Sequence, residues 1–207
     1  MWLVGLCAAR AAGSTMAMAY PAVLSVVQTE WGLSSTAAGS ISSAYQIGTA
    51  VALVFVSALA DYLDPRLVFR VSAGLTAAVS LLIPVLAHGH LSALLLFGAV
   101  AVAVAGIYTP GIMLLAERFG PARRGTAMGW FLAASSMGYV LALVVGGVVV
   151  ARAGWRAALF VLALGPLLCF VLSLVLFMAS ARGAWRSRRR GGCPSTPTFP
   201  GTVQLSS

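Results

Sequence analysis

One arginine interrupts the apolar stretch at the start of the chain, and its side chain could bind a ligand. Arg10 lies within Trp2–Val27. A helix that begins at Trp2 places Arg10 roughly 12 Å along its axis, at a rise of about 1.5 Å per residue. If that helix crosses a membrane, a guanidinium at this depth costs at least ~2.5 kcal/mol, so it should face protein or water. Its planar fork suits the paired oxygens of a carboxylate or phosphate. The sequence therefore predicts a buried cation that contacts an anion.

The role of Arg10 has an alternative, in which its long stem carries the guanidinium to the cytoplasmic surface as an anchor. A start site assigned too far downstream would also make the residue look deeper than it is. The four acidic residues all lie at the ends of the apolar stretches or between them: Glu30, Asp61, Asp64 and Glu117. The partner of a buried Arg10 must then come from a second half of the protein or from the substrate.

The composition is that of a membrane protein. Apolar residues make up 60% of the chain and charged residues 8%, which leaves too little polar surface for a soluble domain of 207 residues. The apolar stretches are continuous rather than alternating, as helices that span a bilayer require. They predict an all-α membrane protein, a bundle over residues 1–182 with a basic, then disordered cytoplasmic tail over 183–207. The six predicted transmembrane helices are Trp2–Val27, Thr36–Ala60, Leu67–Ala87, Leu91–Ala116, Gly125–Ala151 and Ala157–Ala181.

The basic residues orient the chain, and all thirteen are arginines. Only Arg152 and Arg156 lie on one side, whereas ten follow the second, fourth and sixth spans. These ten are Arg66, Arg70, Arg118, Arg123, Arg124, Arg182, Arg186, Arg188, Arg189 and Arg190. This asymmetry predicts that both termini are cytoplasmic. The arginines of the tail then lie near anionic lipid, so the net charge of +9 does not indicate a nucleic-acid partner.

Several features recur at an offset of about 90 residues. The matched pairs are Gly39 with Gly129, Gly48 with Gly138, and Arg66 with Arg156. Three spans per repeat is an odd number, so the two repeats must insert with opposite topology. The sequence thus predicts an inverted 3+3 repeat, an arrangement found within six-helix halves of transporters. Because such halves normally continue into a second half, the tail is interpreted as the end of a truncated reading frame in preference to a regulatory segment.

Short motifs carry a family resemblance. Between the second and third spans, Asp61 and Arg66 match a G-x-x-x-D-[RK]-x-G-[RK]-[RK] loop. The departures from that loop are Ser57, Tyr62, Asp64 and Pro65. The loop 117–125 and the segment 154–156 match further motifs. Over about residues 2–181 the chain resembles the N-terminal half of a major facilitator superfamily transporter.

The fifth span departs from one pattern of that family. Gly138, Gly146 and Gly147 match G-x-x-x-G-P-x-x-G-G, but Ala142 and Leu143 replace its central Gly-Pro. In the family this pattern accompanies antiporters that export drugs, and such members often carry an arginine in the fourth span, which this chain lacks. The resemblance therefore favours uptake, by symport or facilitated diffusion.

The resemblance implies transport by alternating access, secondary active or facilitative, in the plasma (inner) membrane. The expected substrate is a small anionic solute, with a proton as a candidate co-substrate. The expected partners are the lipid bilayer and either a second six-helix half or a second copy of the chain. The same resemblance implies a cytoplasmic latch of ion pairs, for which the alternative is incidental surface pairs worth under about 1 kcal/mol each. The latch residues would be Asp61, Arg66, Glu117, Arg123 and Arg124.

Polar side chains fall mainly on the four spans that line the cavity in the resembled family: the first, second, fourth and fifth. On the second span, Ser42, Tyr45, Gln46 and Thr49 form one stripe at helical spacing. Hydrogen bonding between helices is the alternative, but Tyr and Gln are larger than the residues that merely join helices. The predicted substrate-binding residues are Arg10, Ser14, Tyr20, Tyr45, Gln46, Thr49, Tyr108, Ser135 and Tyr139.

The backbone and the histidines add two predictions. Pro21 and Pro110 can interrupt their helices and release backbone carbonyls. The only histidines, His88 and His90, lie in a short outer loop, too far from any intramembrane serine to activate it and too few to hold a metal. The chain is therefore not expected to be an enzyme, and no catalytic residue, metal or cofactor is predicted. The remaining alternative to a transporter is a non-transporting or regulatory membrane subunit or fragment.

Overall fold

The computed structural model describes the backbone of residues 2–190 and the side chains of residues 2–59 and 62–178. All regular structure in these residues is helical, as the apolar stretches predicted. The elements are α1 (Trp2–Ser14), a 3-10 helix (Thr15–Met18), α2 (Ala19–Glu30), α3 (Ser35–Tyr62), α4 (Pro65–Leu86), α5 (His90–Arg118) and α6 (Pro121–Arg190).

Four helices within the described residues are long and apolar enough to cross a membrane, whereas the sequence predicted six. The four are Ser35–Leu59, Pro65–Leu86, His90–Arg118 and Pro121–Met178. The difference lies at the two ends of the chain. The first predicted span is divided, because the 3-10 helix separates α1, of 13 residues, from α2, of 12 residues. The fifth and sixth predicted spans fall in one run of 58 residues. At about 1.5 Å per residue, that run is far longer than a hydrocarbon core of about 30 Å.

The long helix α6 contains one break. Gly154 has φ 81° and ψ 170°, a conformation outside the helical region. Residues with a Cβ are strained at such a φ, whereas glycine adopts it readily. The chain can therefore turn here, between the predicted spans that end at Ala151 and begin at Ala157. The helix continues to Arg190, beyond the predicted end at Ala181. Residues 191–207 of the predicted tail lie outside the described residues.

Polar caps fix the starts of α3 and α4. The side chain of Ser34 accepts a hydrogen bond from the backbone N–H of Ala37 at 3.2 Å. The carboxylate of Asp64 accepts one from the backbone N–H of Arg66 at 2.9 Å. Pro65 occupies the first turn of α4, where a backbone N–H would have no partner within the helix, so the lack of an N–H in proline costs no hydrogen bond. Because a side chain satisfies an N–H that a helix start leaves without a partner, these residues define where each helix begins.

The outer surface of the bundle is apolar. Val54, Phe55 and Leu95 are 70%, 71% and 63% exposed, and many other large aliphatic side chains are exposed with them. A soluble protein rarely carries so extensive an apolar surface. Side chains of this kind have a favourable environment only when the bundle is surrounded by lipid.

The interior holds two clusters of buried apolar residues. One contains Met16, Tyr20 and Phe97, and the other contains Leu6, Phe69 and Phe131 among its members. Along the first helical stretch, Arg10 and Ser14 lie between Leu6, in one cluster, and Met16, in the other. Their exposed fractions are only 5% and 1%, so two polar side chains are buried within the apolar interior.

Candidate functional site

A cavity of about 380 Å³ lies beside Arg10. Its wall draws on α1, the 3-10 helix, α3, α5 and α6, so its shape depends on most of the fold. Seven of its lining residues are ones that the sequence predicts to bind substrate: Arg10, Ser14, Tyr45, Gln46, Thr49, Tyr108 and Tyr139. The other five lining residues are Ala17, Met18, Leu53, Val104 and Ala105. The cavity is therefore polar at one part of its wall and apolar elsewhere.

Arg10 is held by contacts from two neighbouring helices. Its Nε donates a hydrogen bond to the hydroxyl of Ser135 on α6 at 2.7 Å. Its Cζ lies 5.1 Å from the ring centroid of Tyr108 on α5 and 5.6 Å from that of Phe131 on α6. Both rings are within the range of a cation–π interaction, which is worth about 2 kcal/mol when water is excluded. These contacts place the guanidinium against the cavity rather than at the end of the helix.

One nitrogen of this guanidinium lacks a partner. The Nη1 atom of Arg10 is buried and has no hydrogen-bond acceptor among the described residues. A buried donor left unsatisfied costs roughly 1–3 kcal/mol, and more when the group is charged. An anion that entered the cavity could supply the acceptor after a small rotation of the side chain. The site is thus electrostatically prepared for negative charge.

The 3-10 helix lies one turn before Pro21, and the proline explains its position. Proline has no N–H to donate to the carbonyl four residues earlier, and its ring clashes with that carbonyl. For Pro21 this is the carbonyl of Ala17, which falls inside the 3-10 segment and lines the cavity. The sequence predicted an interruption at Pro21 and also at Pro110. Pro110, in contrast, lies within α5, whose helix is continuous.

Two hydroxyl groups beside the break in the first span, those of Ser14 and Thr15, form hydrogen bonds to backbone carbonyls of α6. Ser14 Oγ donates to the carbonyl of Ala11 at 2.9 Å, with the carbonyl of Ser135 at 3.1 Å as a second acceptor. Thr15 Oγ1 donates to the carbonyl of Ala12 at 2.9 Å, with the carbonyl of Leu162 at 3.2 Å as a second acceptor, and Leu162 lies four positions before Pro166. Pro166 has no N–H, so the carbonyl of Leu162 lacks its usual partner within the helix. The hydroxyl of Thr15 can donate to this carbonyl instead. The interruption is therefore fixed in place by α6.

The polar stripe predicted on the second span divides between two cavities. Tyr45, Gln46 and Thr49 line the cavity beside Arg10, and the Thr49 hydroxyl donates to the carbonyl of Tyr45 at 2.8 Å. Ser42 instead lines a smaller neighbouring cavity of about 60 Å³, together with Tyr45 and Gln46. Three members of the stripe are thus brought together with the arginine, and the fourth, Ser42, lies about one turn nearer the start of α3.

Two predicted site residues lie outside the lining of the cavity beside Arg10. Tyr20 donates its hydroxyl to the carbonyl of Ala38 at 2.9 Å, and its ring packs edge-on against Phe97 with centroids 5.2 Å apart. It therefore joins α2 to α3. Ser135 is 5% exposed and accepts the hydrogen bond from Arg10 Nε, but it does not line the cavity. Its position suits a residue that orients the arginine rather than one that contacts a ligand.

No pattern in the sequence indicated the apolar part of the wall. Leu53, Val104 and Ala105 resemble every other aliphatic residue in their helices, so no pattern distinguishes a cavity position from a lipid position. Phe131 is also absent from the prediction, although its ring faces the guanidinium. Its spacing offered a signal, because Phe131 lies four residues before Ser135 and therefore on the same face of α6.

The predicted latch residues lie near the cytoplasmic ends of their helices by the predicted topology. Arg66 and Glu117 line a second cavity of about 240 Å³, together with Trp2 and Arg118. Arg118 also lies over the ring of Trp2, with 4.7 Å from its Cζ to the ring centroid.

The remaining latch residues differ in their surroundings. Arg124 donates through Nη2 to the carbonyl of Ala116 at 2.7 Å, which satisfies a carbonyl at the end of α5. Arg123 is exposed, and its backbone N–H donates to the carbonyl of Gly120. The side chain of Asp61 lies outside the described residues.

Apolar helices around a partly polar cavity that contains an arginine define a helical membrane protein with an internal cavity. The chain belongs to the Major Facilitator Superfamily, whose family model matches residues 5–205. Membership in that family and the apolar helices together mark it as an integral membrane protein, and they point to membrane transport.

Two curated relatives carry the name of a transporter. "Uncharacterized transporter YgaY" of Escherichia coli O157:H7 is 29% identical over 140 residues, which cover 67% of this chain and 35% of that protein. The counterpart from Escherichia coli (strain K12) matches with the same identity and coverage. The aligned part thus spans about a third of the length of each relative.

Proposed function

We propose that this chain is a six-helix half of a transporter that moves a small organic anion across the plasma (inner) membrane by alternating access. The observation that carries this proposal is the unsatisfied Nη1 of Arg10 beside a cavity whose wall is partly polar. An intramembrane charge is functional by default, and a guanidinium without an acid partner needs an anion. Transport is secondary active, with a proton as co-substrate, or facilitative.

The cavity limits the substrate in size and chemistry. A volume of about 380 Å³ lies at the lower end of the range for small-molecule sites, roughly 300–1,000 Å³. Tyr45, Tyr108 and Tyr139 offer rings and hydroxyls beside the cation, whereas Met18 and Leu53 offer apolar surface. These groups suit a carboxylate or phosphate attached to a compact apolar or aromatic body.

The proposal includes six spans. The 3-10 helix keeps α1 and α2 in one helical stretch from Trp2 to Glu30, long enough to cross a bilayer as a single broken helix. Discontinuous helices of this kind are typical of transporter binding sites. The run from Pro121 to Met178 is then two spans that meet at Gly154.

The packing of the helices supports the inverted repeat. In the repeat, the first span corresponds to α5, and α3 and α4 correspond to the parts of α6 before and after Gly154. The first span packs against α6, and correspondingly α5 packs against both α3 and α4. The repeat exchanges α4 with the part of α6 after Gly154. The contact between α4 and α6 therefore joins two equivalent elements, as expected across a pseudo-two-fold axis.

Two glycines at the predicted offset also support the repeat. A Cβ on Gly48 would lie 3.3 Å from the Cβ of Ala101 in α5. A Cβ on Gly138 would overlap the carbonyl oxygen of Ala11 in α1. Ala11 and Ala101 are 90 positions apart, as are Gly48 and Gly138. Both sides of each close contact therefore follow the same offset.

Topology provides the first test. With both termini cytoplasmic, reporter fusions after Glu30 and after Ala153 should report the outer side. Fusions after Arg70, Gly120 and Arg190 should report the cytoplasm, as the arginine asymmetry requires. The Ala153 fusion is decisive for α6, because an outer location there means that the chain turns near Gly154. If Ala153 and Gly120 report the same side, the six-span proposal is wrong.

Dependence on a second half provides the second test. Alternating access requires two units that move around a shared site, and each relative is about three times longer than its aligned part. Vesicles that contain this chain alone should therefore show no saturable uptake of radiolabelled benzoate or phosphate. Co-production with a C-terminal six-helix half should restore uptake of at least one of these anions.

The controls for uptake separate three explanations. Uptake by a demonstrably monomeric preparation of this chain would contradict the two-half requirement. Uptake that appears only with a homodimer would assign the second half to another copy. If the two halves associate but take up neither anion, the anionic substrate class is wrong, and a regulatory or non-transporting subunit becomes the better description.

A further inference from the structure

We propose that a groove on the outside of the bundle binds one anionic phospholipid, with its phosphate at Arg70 and an acyl chain along α4. The groove has a volume of about 560 Å³ and runs between α4 and the part of α6 after Gly154. It shares no lining residue with the cavity beside Arg10.

Exposed aliphatic side chains form one wall of the groove. Leu67, Val71 and Leu75 recur every four residues on α4 and are 45%, 60% and 51% exposed. Residues at this spacing lie on one face of a helix, so the wall follows the helix axis. Phe170 and Leu174 of α6 form the opposite wall. An extended hydrocarbon chain matches such a straight, apolar trough.

A glycine gives the groove its depth. At Gly74, a Cβ would lie 3.1 Å from Cε2 of the Phe170 ring, so a side chain here would fill the space between the helices. With glycine, the floor is the backbone of α4 and the edge of that ring. A chain lying in the groove would therefore contact protein on three sides instead of one.

Arg70 is the one charged residue among the described residues that line the groove, and it lies towards one end of it. Arg70 is the sixth residue of α4, so it lies roughly 7.5 Å from the helix start at about 1.5 Å per residue. Its Nε lies 3.4 Å from the carbonyl oxygen of Arg66, one turn nearer that start. A guanidinium on a long stem at this depth reaches the phosphate level of the membrane. The positive charge thus lies where an anionic head group would, and the apolar walls extend from it towards the membrane interior.

This arrangement matches a lipid better than any other occupant. The ligand must carry negative charge at one end and a long apolar part, and it must approach from the bilayer. The predicted topology places Arg70 at the cytoplasmic leaflet, which is the leaflet that is rich in anionic lipid. Phosphatidylglycerol and phosphatidylcholine share the phosphate and the acyl chains, so they differ in the net charge that Arg70 would detect.

The experiment measures binding of these two lipids to the purified chain in detergent by native mass spectrometry. The wild-type chain should bind phosphatidylglycerol about fivefold more tightly than phosphatidylcholine, the factor expected for one basic residue at an anionic surface. Arg70→Gln should abolish this preference, because it weakens the binding of phosphatidylglycerol to the level of phosphatidylcholine. Arg152→Gln is the control for the loss of one arginine charge, because Arg152 is exposed next to the break at Gly154 and does not line the groove, so this variant should keep the preference.

A second variant tests the groove itself. Ala78 lines the apolar end and is exposed, so Ala78→Phe can project into the groove without a clash in the core. It should weaken the binding of both lipids and leave their ratio near fivefold. Circular dichroism of each variant establishes that the helices remain. A preference that survives in Arg70→Gln, or that falls equally in Arg152→Gln, would mean that the chain binds only general surrounding lipid.

Discussion

Replacement of Arg10 by alanine is expected to weaken strongly the binding of anions in the cavity. The variant loses the only cation among the lining residues, and with it the hydrogen bonds that an anion would receive. A hydrogen bond to a charged group is worth about 1.5–3 kcal/mol, so affinity should fall roughly 10- to 150-fold. The measurement is the rise in melting temperature of the purified chain with benzoate, citrate or phosphate, with neutral benzamide as the comparison.

Three further variants distinguish the contributions to this effect. Arg10→Lys keeps the charge but loses the planar fork and the bond from Nε to Ser135, so it should retain only weak protection. Ser135→Ala keeps the guanidinium and removes its positioning partner, so it should give an intermediate loss. Arg152→Ala changes the net charge equally at an exposed position outside the cavity and should leave protection intact.

The outcomes for Arg10 have separate meanings. Normal protection in Arg10→Ala would make the residue an anchor, and the anionic class of substrate would have to be abandoned. Loss of folding in both Arg10→Ala and Ser135→Ala would show that the arginine is structural. No protection of the wild-type chain by any of the three anions would also count against the proposal.

Helical periodicity on the first two spans, together with the family resemblance for the fourth and fifth, predicted most of the polar residues that line the cavity beside Arg10. Ser14 lies one turn after Arg10, and the stripe that includes Tyr45 and Thr49 lies on one face of α3, so local spacing already assembled most of the wall. Tyr20 was also predicted to bind substrate, but it does not line this cavity. Its hydroxyl satisfies the carbonyl of Ala38, and only the packing of α2 on α3 reveals that contact.

Span counting from apolar runs has a related limit. Hydropathy locates the residues that lie in lipid, but it does not show where a helix breaks. The interruption at Thr15–Met18 depends on Pro21 and on hydroxyl contacts to α6, which join residues more than 100 positions apart. The turn at Gly154 depends on one backbone conformation that glycine permits. Neither the break before Pro21 nor the turn at Gly154 can be located from hydropathy alone, because each depends on backbone conformation or on contacts between distant residues.

Close packing between the first span and α6 leads to the second large effect, at Gly138. A Cβ at this position would overlap the carbonyl oxygen of Ala11 and the hydroxyl of Ser14, so even alanine should not fit. Overpacking typically costs about 1–3 kcal/mol, and the cost should reach or exceed the upper value here, because one neighbour is backbone and cannot rotate away. Gly138→Ala should therefore lower the melting temperature of the purified chain and reduce its yield in the membrane.

Gly147 is the matched control for this prediction, because it lies on the same helix and a Cβ there would meet nothing within 4 Å. Alanine has a helix propensity about 1 kcal/mol more favourable than glycine, so Gly147→Ala should raise the melting temperature or leave it unchanged. The opposite signs of the two variants would separate steric exclusion from helix propensity. If Gly138→Ala is as stable as the wild type, α1 and α6 do not approach so closely. In that case the hydrogen bond from Arg10 to Ser135, which depends on the same helix contact, would also need another explanation.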